Sequence, residues 1–214
     1  MSTRAKAEAP INETAWKIGW NPKPALLGAG LLALIIGTLL IDFGWGIFLG
    51  AVGLAAGAGV WLWGVSEVND KYAALEDAFN QTSIDHGLTK SGFDGEDEST
   101  DVHVLRTHNG KSAPLIEAHK KYFSDIIVVG ETSFFVSEDY TLDMENISVI
   151  DSSSGSEVYY RDVELVESYS DGPSYALLIR TNGGIERVVQ SADRSSISKV
   201  ETELRKRVRA GRRQ

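Results

Sequence analysis

The residues able to do chemistry are few, and their spacing does not assemble a catalytic centre. The four histidines, His86, His103, His108 and His119, share no helical face, and none has a carboxylate at a catalytic spacing. His103 and His108 could approach across a turn as a metal pair, but surface histidines without a ligand are the commoner outcome of such spacing. The absence of cysteine excludes disulfides, thiolate nucleophiles, Cys-ligated zinc and iron–sulfur clusters. No Gly-x-Ser-x-Gly elbow or dinucleotide fingerprint occurs, and Val129-Gly-Glu-Thr132 lacks the lysine and second glycine of a phosphate cradle. The acidic run from Asp94 to Asp101 lacks the ligand order of an EF-hand. The sequence thus predicts no catalytic residue, cofactor, metal site or small-molecule substrate.

One cluster does point to a ligand. Arg205, Lys206, Arg207, Arg209, Arg212 and Arg213 crowd the end of the chain, and such clusters attract anionic lipid by about 1 kcal/mol per charge near the surface. Part of this charge also complements the dipole at a helix C-terminus. Cut at residues 66 and 193, the chain carries +1, −16 and +6, which make up its net −9. The strongly acidic middle piece would repel a nucleic-acid backbone, so nucleic acid is not an expected partner.

The elements that must position this cluster begin with a greasy segment. Between Pro24 and Val65 the only ionisable residue is Asp42, and the run is about twice the roughly 20 residues a helix needs to cross a bilayer core. Two spans are expected, from about Pro24 to Ile41 and from about Ile47 to Val65, with a tight turn over Asp42–Gly46. The five tryptophans, Trp16, Trp20, Trp45, Trp61 and Trp63, fall at the ends of these spans, where indole favours the membrane interface. Gly46, Gly50, Gly53 and Gly57 recur at steps of four and three, with Gly30 and Gly37 seven apart, a spacing that lets helix backbones approach closely. This stripe serves packing within one hairpin or self-association between chains. Arg4, Lys6, Lys17 and Lys23 precede the first span and Lys71 follows the second, so the positive-inside rule puts both termini in the cytoplasm. Three glycosylation sequons, at Asn12, Asn80 and Asn146, pull toward the opposite orientation.

Past the spans, Val68, Tyr72, Leu75 and Phe79 form an apolar helical stripe able to pair with a copy of itself, followed by a flexible acidic linker from about Asn80 to Asp101. From Val102 the pattern turns to β-type runs: Ile126–Val129, Thr132–Ser137, Ile147–Ile150, Glu157–Tyr160, Val163–Tyr169, Tyr175–Thr181 and Ile185–Gln190. Asn182-Gly183 reads as a tight hairpin with positive φ angles, and Asp171-Gly172 and Ser154-Gly155 as further reversals. A short helix is expected over Ser112–Phe123. A final amphipathic helix opens at Asp193 and carries Ile197, Val200, Leu204 and Val208 on one face. The organisation is then 1–23 N-terminal segment, 24–65 hairpin, 66–101 helix and linker, and 102–214 soluble domain.

The order of these elements, with Ser156–Glu167, the Leu177-Leu-Ile-Arg-Thr-Asn-Gly183 hairpin and the Leu204-Arg-Lys-Arg-Val208 helix, resembles the bacterial and archaeal membrane-associated branch of pleckstrin-homology-like domains. That resemblance implies an α+β chain: a two-helix transmembrane hairpin followed by an antiparallel β-barrel or sandwich with a C-terminal capping helix. It further implies a binding or assembly module, not an enzyme. It carries over no ligand site, because phosphoinositide-binding members present a basic loop where Gly130–Ser133 or Glu138–Tyr140 is acidic here. The acidic, lysine-poor composition resembles that of proteins from salt-loving archaea. The expected role is a membrane-anchored scaffold or adaptor with an unidentified protein partner or a second copy of itself. The alternative is an accessory subunit of a larger membrane complex such as a transporter.

Overall fold

The computed structural model describes residues 11–21, 23–40, 43–106, 121–151 and 154–212. Asp42, His108, His119, Arg213 and most of the helix expected over Ser112–Phe123 lie outside these residues; its end, Lys121–Phe123, is strand instead. The chain is α+β and divides into two compact units, comprising 11–76 and 77–106 with 121–212 among the described residues.

The first unit holds helices α1 (Glu13–Trp20), α2 (Lys23–Leu40) and α3 (Phe43–Ser91) as far as Glu76. Helix α1, not among the elements expected from the sequence, is capped by Asn12, whose side chain accepts the Ala15 N–H at 3.2 Å. Two of the helices, α2 and α3, are long and apolar enough to cross a membrane. Most of their large side chains are uncovered, with Leu39 79% and Leu40 77% exposed. The turn between them is shorter than expected. Phe43–Gly46 already belong to α3, because Gly46 is needed for close helix contact with Thr38 rather than for a reversal.

In the second unit the last turns of α3 are followed by β1 (Asp101–Arg106), β2 (Lys121–Val129), β3 (Ser133–Asp143), β4 (Ser148–Asp151) and β5 (Gly155–Tyr159). These form one antiparallel sheet in the order β1-β2-β3, with β4 and β5 both pairing along β3. After a short 3-10 turn, Tyr160–Asp162, strands β6 (Val163–Asp171), β7 (Ser174–Thr181) and β8 (Glu186–Ser191) make a second sheet, and α4 (Arg194–Gly211) ends the described chain. The two sheets are separate and do not close into a single hydrogen-bonded barrel among the described residues. Their inner faces and one face of α4 share a core that includes Ile127, Phe134, Val163, Leu177, Val200 and Leu204.

The outer face of the first sheet explains why the expected linker is not a linker. Ile126-Ile-Val-Val129 is apolar without alternation, and alternate strand residues face opposite ways, so both faces need cover. Ile127 and Val129 join the core, while a Cβ at Gly87 of α3 would meet Ile126 and Val128 at 2.7 and 3.0 Å. Phe79 stacks on Tyr140 at 5.4 Å and meets Tyr122 edge-on at 5.7 Å. Residues 80–91 are therefore helical and docked. The acidic stretch that follows is folded into turns, with Asp94 and Asp97 accepting the Glu96 and Ser99 N–H groups. The self-pairing stripe is likewise occupied within the chain: Tyr72 packs on Trp20, and Phe79 is spent on the sheet.

The hairpins follow their turn chemistry. Between β6 and β7, Gly172 (φ 59°) precedes Pro173, the pattern of a two-residue II′ turn. Between β7 and β8 the expected positive φ at Asn182-Gly183 falls instead on Gly184 (φ 76°). Thr181 O accepts the Gly184 N–H and Thr181 N–H bonds Ile185 O, a three-residue loop closed by a left-handed glycine.

Candidate functional site

Three groups of residues stand out in the sequence, and each has a definite place. The glycines of α3 face α2. A Cβ at Gly53 would fall 2.6 Å from the Ala29 carbonyl oxygen, and one at Gly50 3.2 Å from the Leu34 Cβ. Gly57 abuts Ala25 and Gly46 abuts Thr38, so the contacts run in opposite senses along the two helices, as in an antiparallel hairpin. From α2, Gly30 and Gly37 meet Leu54 and the Gly46 backbone. Gly28 and Gly59 have open space around them.

The tryptophans divide into two sets. Trp45 and Trp63 are about half exposed, 51% and 49%. Trp16 and Trp20 are buried, set edge to face at 6.0 Å. Helix α1 crosses α3 where Gly19 lies on Gly64, and the Trp61 indole donates to the Gly19 carbonyl at 3.3 Å. The Asn12 N–H donates to Glu67 at 2.8 Å and fixes the other end. The signal was present in the sequence: Ile11, Ala15, Trp16, Gly19 and Trp20 mark one face of a capped helix.

The basic cluster is less uniform than its composition implies. Helix α4 starts at Asp193, whose carboxylate accepts the Ser195 and Ser196 N–H groups and both hydroxyls, holding its pKa down at about 2. Toward the far end, Arg205 donates to the Val166 carbonyl (2.9 Å) and pairs with Glu201 (2.8 Å). Arg212 donates to the Val163 and Glu164 carbonyls at 2.6 and 3.0 Å. Together with Glu201, which bonds Ser168, they cover the outer edge of β6, where a sheet otherwise leaves backbone groups unpaired. Arg207 is the most committed: Nε to Glu203 at 2.6 Å, one terminal nitrogen to the Gly130 carbonyl at 2.7 Å, the other to the Ser99 carbonyl at 3.0 Å. Lys206 and Arg209 are exposed and have no partner among the described residues.

Lys206 also lines a cleft of about 660 Å³. Its walls are Glu131 and Thr132 from the β2–β3 turn, Tyr159 from the end of β5, Arg161 from the 3-10 turn that follows, and Lys206 with Gly211 from α4. The floor is held rigidly, because the Tyr160 hydroxyl and Arg207 both donate to the Gly130 carbonyl, at 2.9 and 2.7 Å. Burial pushes the Tyr160 phenol well above its usual range. Arg161, 75% exposed, lies over the Tyr159 ring at 5.3 Å. Arg209 lines a shallower hollow on the other side of Lys206.

Two further polar clusters belong to the frame. Asp125 sits where β3 carries one extra residue opposite β2, a bulge in which Asp139 has positive φ (63°). Glu138 and Asp139, read from sequence as loop, are thus within a strand. The Asp125 carboxylate accepts the Asp139 N–H at 3.1 Å and the Gln190 N–H of β8 at 2.7 Å, joining the two sheets. Burial raises its pKa to about 6, against the lowering effect of those hydrogen bonds. His86 of α3 stacks on Tyr140 at 4.3 Å, with its Nε2 3.7 Å from Asp151, which also takes Lys90 at 3.3 Å. Burial lowers the His86 pKa, opposed by Asp151. His103 is buried beside Asp101, its pKa also lowered by burial. No group of three metal-ligating side chains occurs among the described residues.

No protein-family model matches the chain, and no curated protein does. Among solved structures it is similar to the PDZ-RhoGEF DH/PH domains in complex with GTP-gamma-S-activated RhoA, at TM-score 0.32 and 10% identity over 87% of this chain and 53% of that one. It is similar also to the DH/PH fragment of PDZRHOGEF in complex with human RhoA (TM-score 0.31, 8% identity, 86% of this chain and 52% of that one). A third is the N-terminally truncated linker-DH/PH domains of p115-RhoGEF (TM-score 0.32, 7% identity, 86% and 54%). The chain spans about half the length of these structures, and scores of this size do not establish a shared fold.

Proposed function

We propose that this protein is a membrane-anchored, non-enzymatic scaffold or adaptor. Its two-span hairpin holds a pleckstrin-homology-like module at the cytoplasmic face of the membrane, where the module binds protein or lipid. One observation carries the reading: two helices of membrane-spanning length leave large apolar side chains uncovered, in a chain whose remainder is a folded α+β unit with its own core. Apolar surface on that scale is unfavourable in water and is satisfied by acyl chains. The module assignment rests on the element order, two antiparallel sheets followed by a closing amphipathic helix. The cytoplasmic address rests on the basic residues flanking the spans.

Chemical crosslinking in native membranes tests the role. Self-association or several soluble partners is the expected outcome. Stoichiometric recovery with one polytopic protein would replace the scaffold with an accessory subunit of that complex.

A further inference from the structure

Asn182-Gly183, the pair that marks the β7–β8 reversal in the sequence, is exposed and does more than turn the chain. The Asn182 N–H donates to the Asp162 carbonyl at 2.8 Å, and the side-chain Nδ2 donates to the Arg161 carbonyl at 3.4 Å. These two bonds tie the hairpin to the 3-10 turn that leads from the first sheet into the second. The Gly183 N–H, by contrast, makes no hydrogen bond among the described residues, and glycine places no Cβ beside that nitrogen. An unengaged glycine nitrogen next to an exposed asparagine amide is a nucleophile beside its electrophile. We propose that Asn182-Gly183 is a self-modifying site whose co-reactant is water, and that its conversion to aspartate and isoaspartate releases the hairpin from the 3-10 turn.

The chemistry balances without any further reagent. Base removes the Gly183 amide proton, the nitrogen attacks the Asn182 Cγ, and a nitrogen–carbon bond forms as the bond from Cγ to the side-chain nitrogen breaks. The leaving nitrogen takes up a proton and departs as ammonia, which leaves a succinimide ring. Water then adds to one of the ring carbonyls. Opening at the side-chain carbonyl gives aspartate, and opening at the main-chain carbonyl gives isoaspartate, whose backbone runs on through Cγ. One amide and one water become one carboxylic acid and one ammonia, and nothing is oxidised or reduced. Both products lack the Nδ2 donor, so the Arg161 carbonyl loses its partner and a carboxylate stands in the donor's place. Isoaspartate also adds a backbone carbon between the Asn182 N–H held by Asp162 and the Thr181–Gly184 bond that closes the turn. That loop is fitted to its present length, with Gly184 in the left-handed region. Asn182 is the one described asparagine followed by glycine. Asn80 precedes Gln81 inside α3, and Asn146 precedes the β-branched Ile147, whose side chain crowds the nitrogen that would attack.

The test incubates full-length protein in a neutral detergent at mildly alkaline pH and follows each asparagine by peptide mass mapping, with the two acidic products separated by electron-transfer fragmentation. Conversion at Asn182 is expected, faster as pH rises and with isoaspartate the major product, while Asn80 and Asn146 keep their amides. Gly183→Ala should slow it about tenfold or more. That variant folds, since a Cβ at Gly183 meets only Thr181 Oγ1, at 3.9 Å, and Gly183 is not among the glycines with positive φ. Hydrogen exchange across residues 160–163 should quicken several-fold in the converted chain, and Asn182→Asp, which removes the donor without lengthening the loop, should reproduce part of that change. An Asn182 that stays intact, that converts no faster than Asn146, or that is indifferent to Gly183→Ala overturns the site. Conversion with unchanged exchange overturns the release. Neither result depends on the membrane reading.

Discussion

Asp125 bridges the sheets through two backbone N–H groups, and burying a carboxylate there makes the joint sensitive to pH. Its folded pKa of about 6 lies above its ordinary 3.8. Its favourable contribution is therefore complete below pH 3.8 and is lost as pH rises through about 6, a change of order 3 kcal/mol for a shift near two units. His86 works in the opposite sense: with its pKa lowered by burial, its contribution is present above pH 6.5 and fades on acidification. The two effects overlap, so the comparison belongs in a His86→Phe background, which keeps a ring on Tyr140. There, Asp125→Asn should remove a component of thermal stability that declines from pH 4 to 7, read as the difference between the two variants so that the contributions of His103 and Glu138 cancel. An unchanged slope in the double variant would remove Asp125 as its source. Little of this was visible beforehand. A carboxylate inside Tyr122-Phe-Ser-Asp-Ile-Ile-Val-Val129 reads as an exposed strand position until the bulge opposite it is known. The same holds for Arg207, two of whose three partners, the Gly130 and Ser99 carbonyls, lie far from it in sequence.

Helices α2 and α3 pack as a pair because their facing positions are small, with Ala25, Ala29 and Ala33 against Gly57 and Gly53. The chain has no native cysteine, so an introduced pair reports on this interface without background. Ala33→Cys with Gly53→Cys should oxidise within one chain and migrate at the monomer mass; a covalent dimer would show that the glycines face a second copy. Gly53→Leu, forced against the Ala29 carbonyl, should cost about 1–3 kcal/mol of hairpin stability, whereas Gly59→Leu, pointing into open space, should cost little. The existence of the two apolar helices, of α4 and of seven of the eight strands among the described residues is legible because hydropathy and β-branched runs are local signals. Strand β1 is not legible in this way, since Asp101-Val-His-Val-Leu-Arg106 is short and follows an acidic stretch. The helical turns after Asn80 were missed for another reason: what holds them is the outer face of β2, more than thirty residues away in sequence.

At the scale of the whole chain the asymmetry of charge is the ground for the proposed address. Lys17 and Lys23 stand beside the first span and Lys71 beyond the second, with none between, and basic residues near span ends resist translocation. Three sequons argue for the reverse, yet their asparagines are poorly placed as acceptors. Asn12 caps α1, Asn80 lies inside α3, and Asn146 donates to Asp143 at 2.9 Å. Glycosylation favours surface loops in secreted regions, so the local structure removes much of the force of that signal. Single cysteines give the decision. Glu98 is exposed in the turns before β1, and Phe43, 71% exposed, opens α3 at the other end of its apolar stretch. In intact cells a membrane-impermeant maleimide should label Phe43→Cys and leave Glu98→Cys unmodified until the membrane is permeabilised. Labelling of Glu98→Cys from outside, with Phe43→Cys protected, would invert the chain and put the α+β unit on the opposite side of the membrane, away from the partners proposed for it.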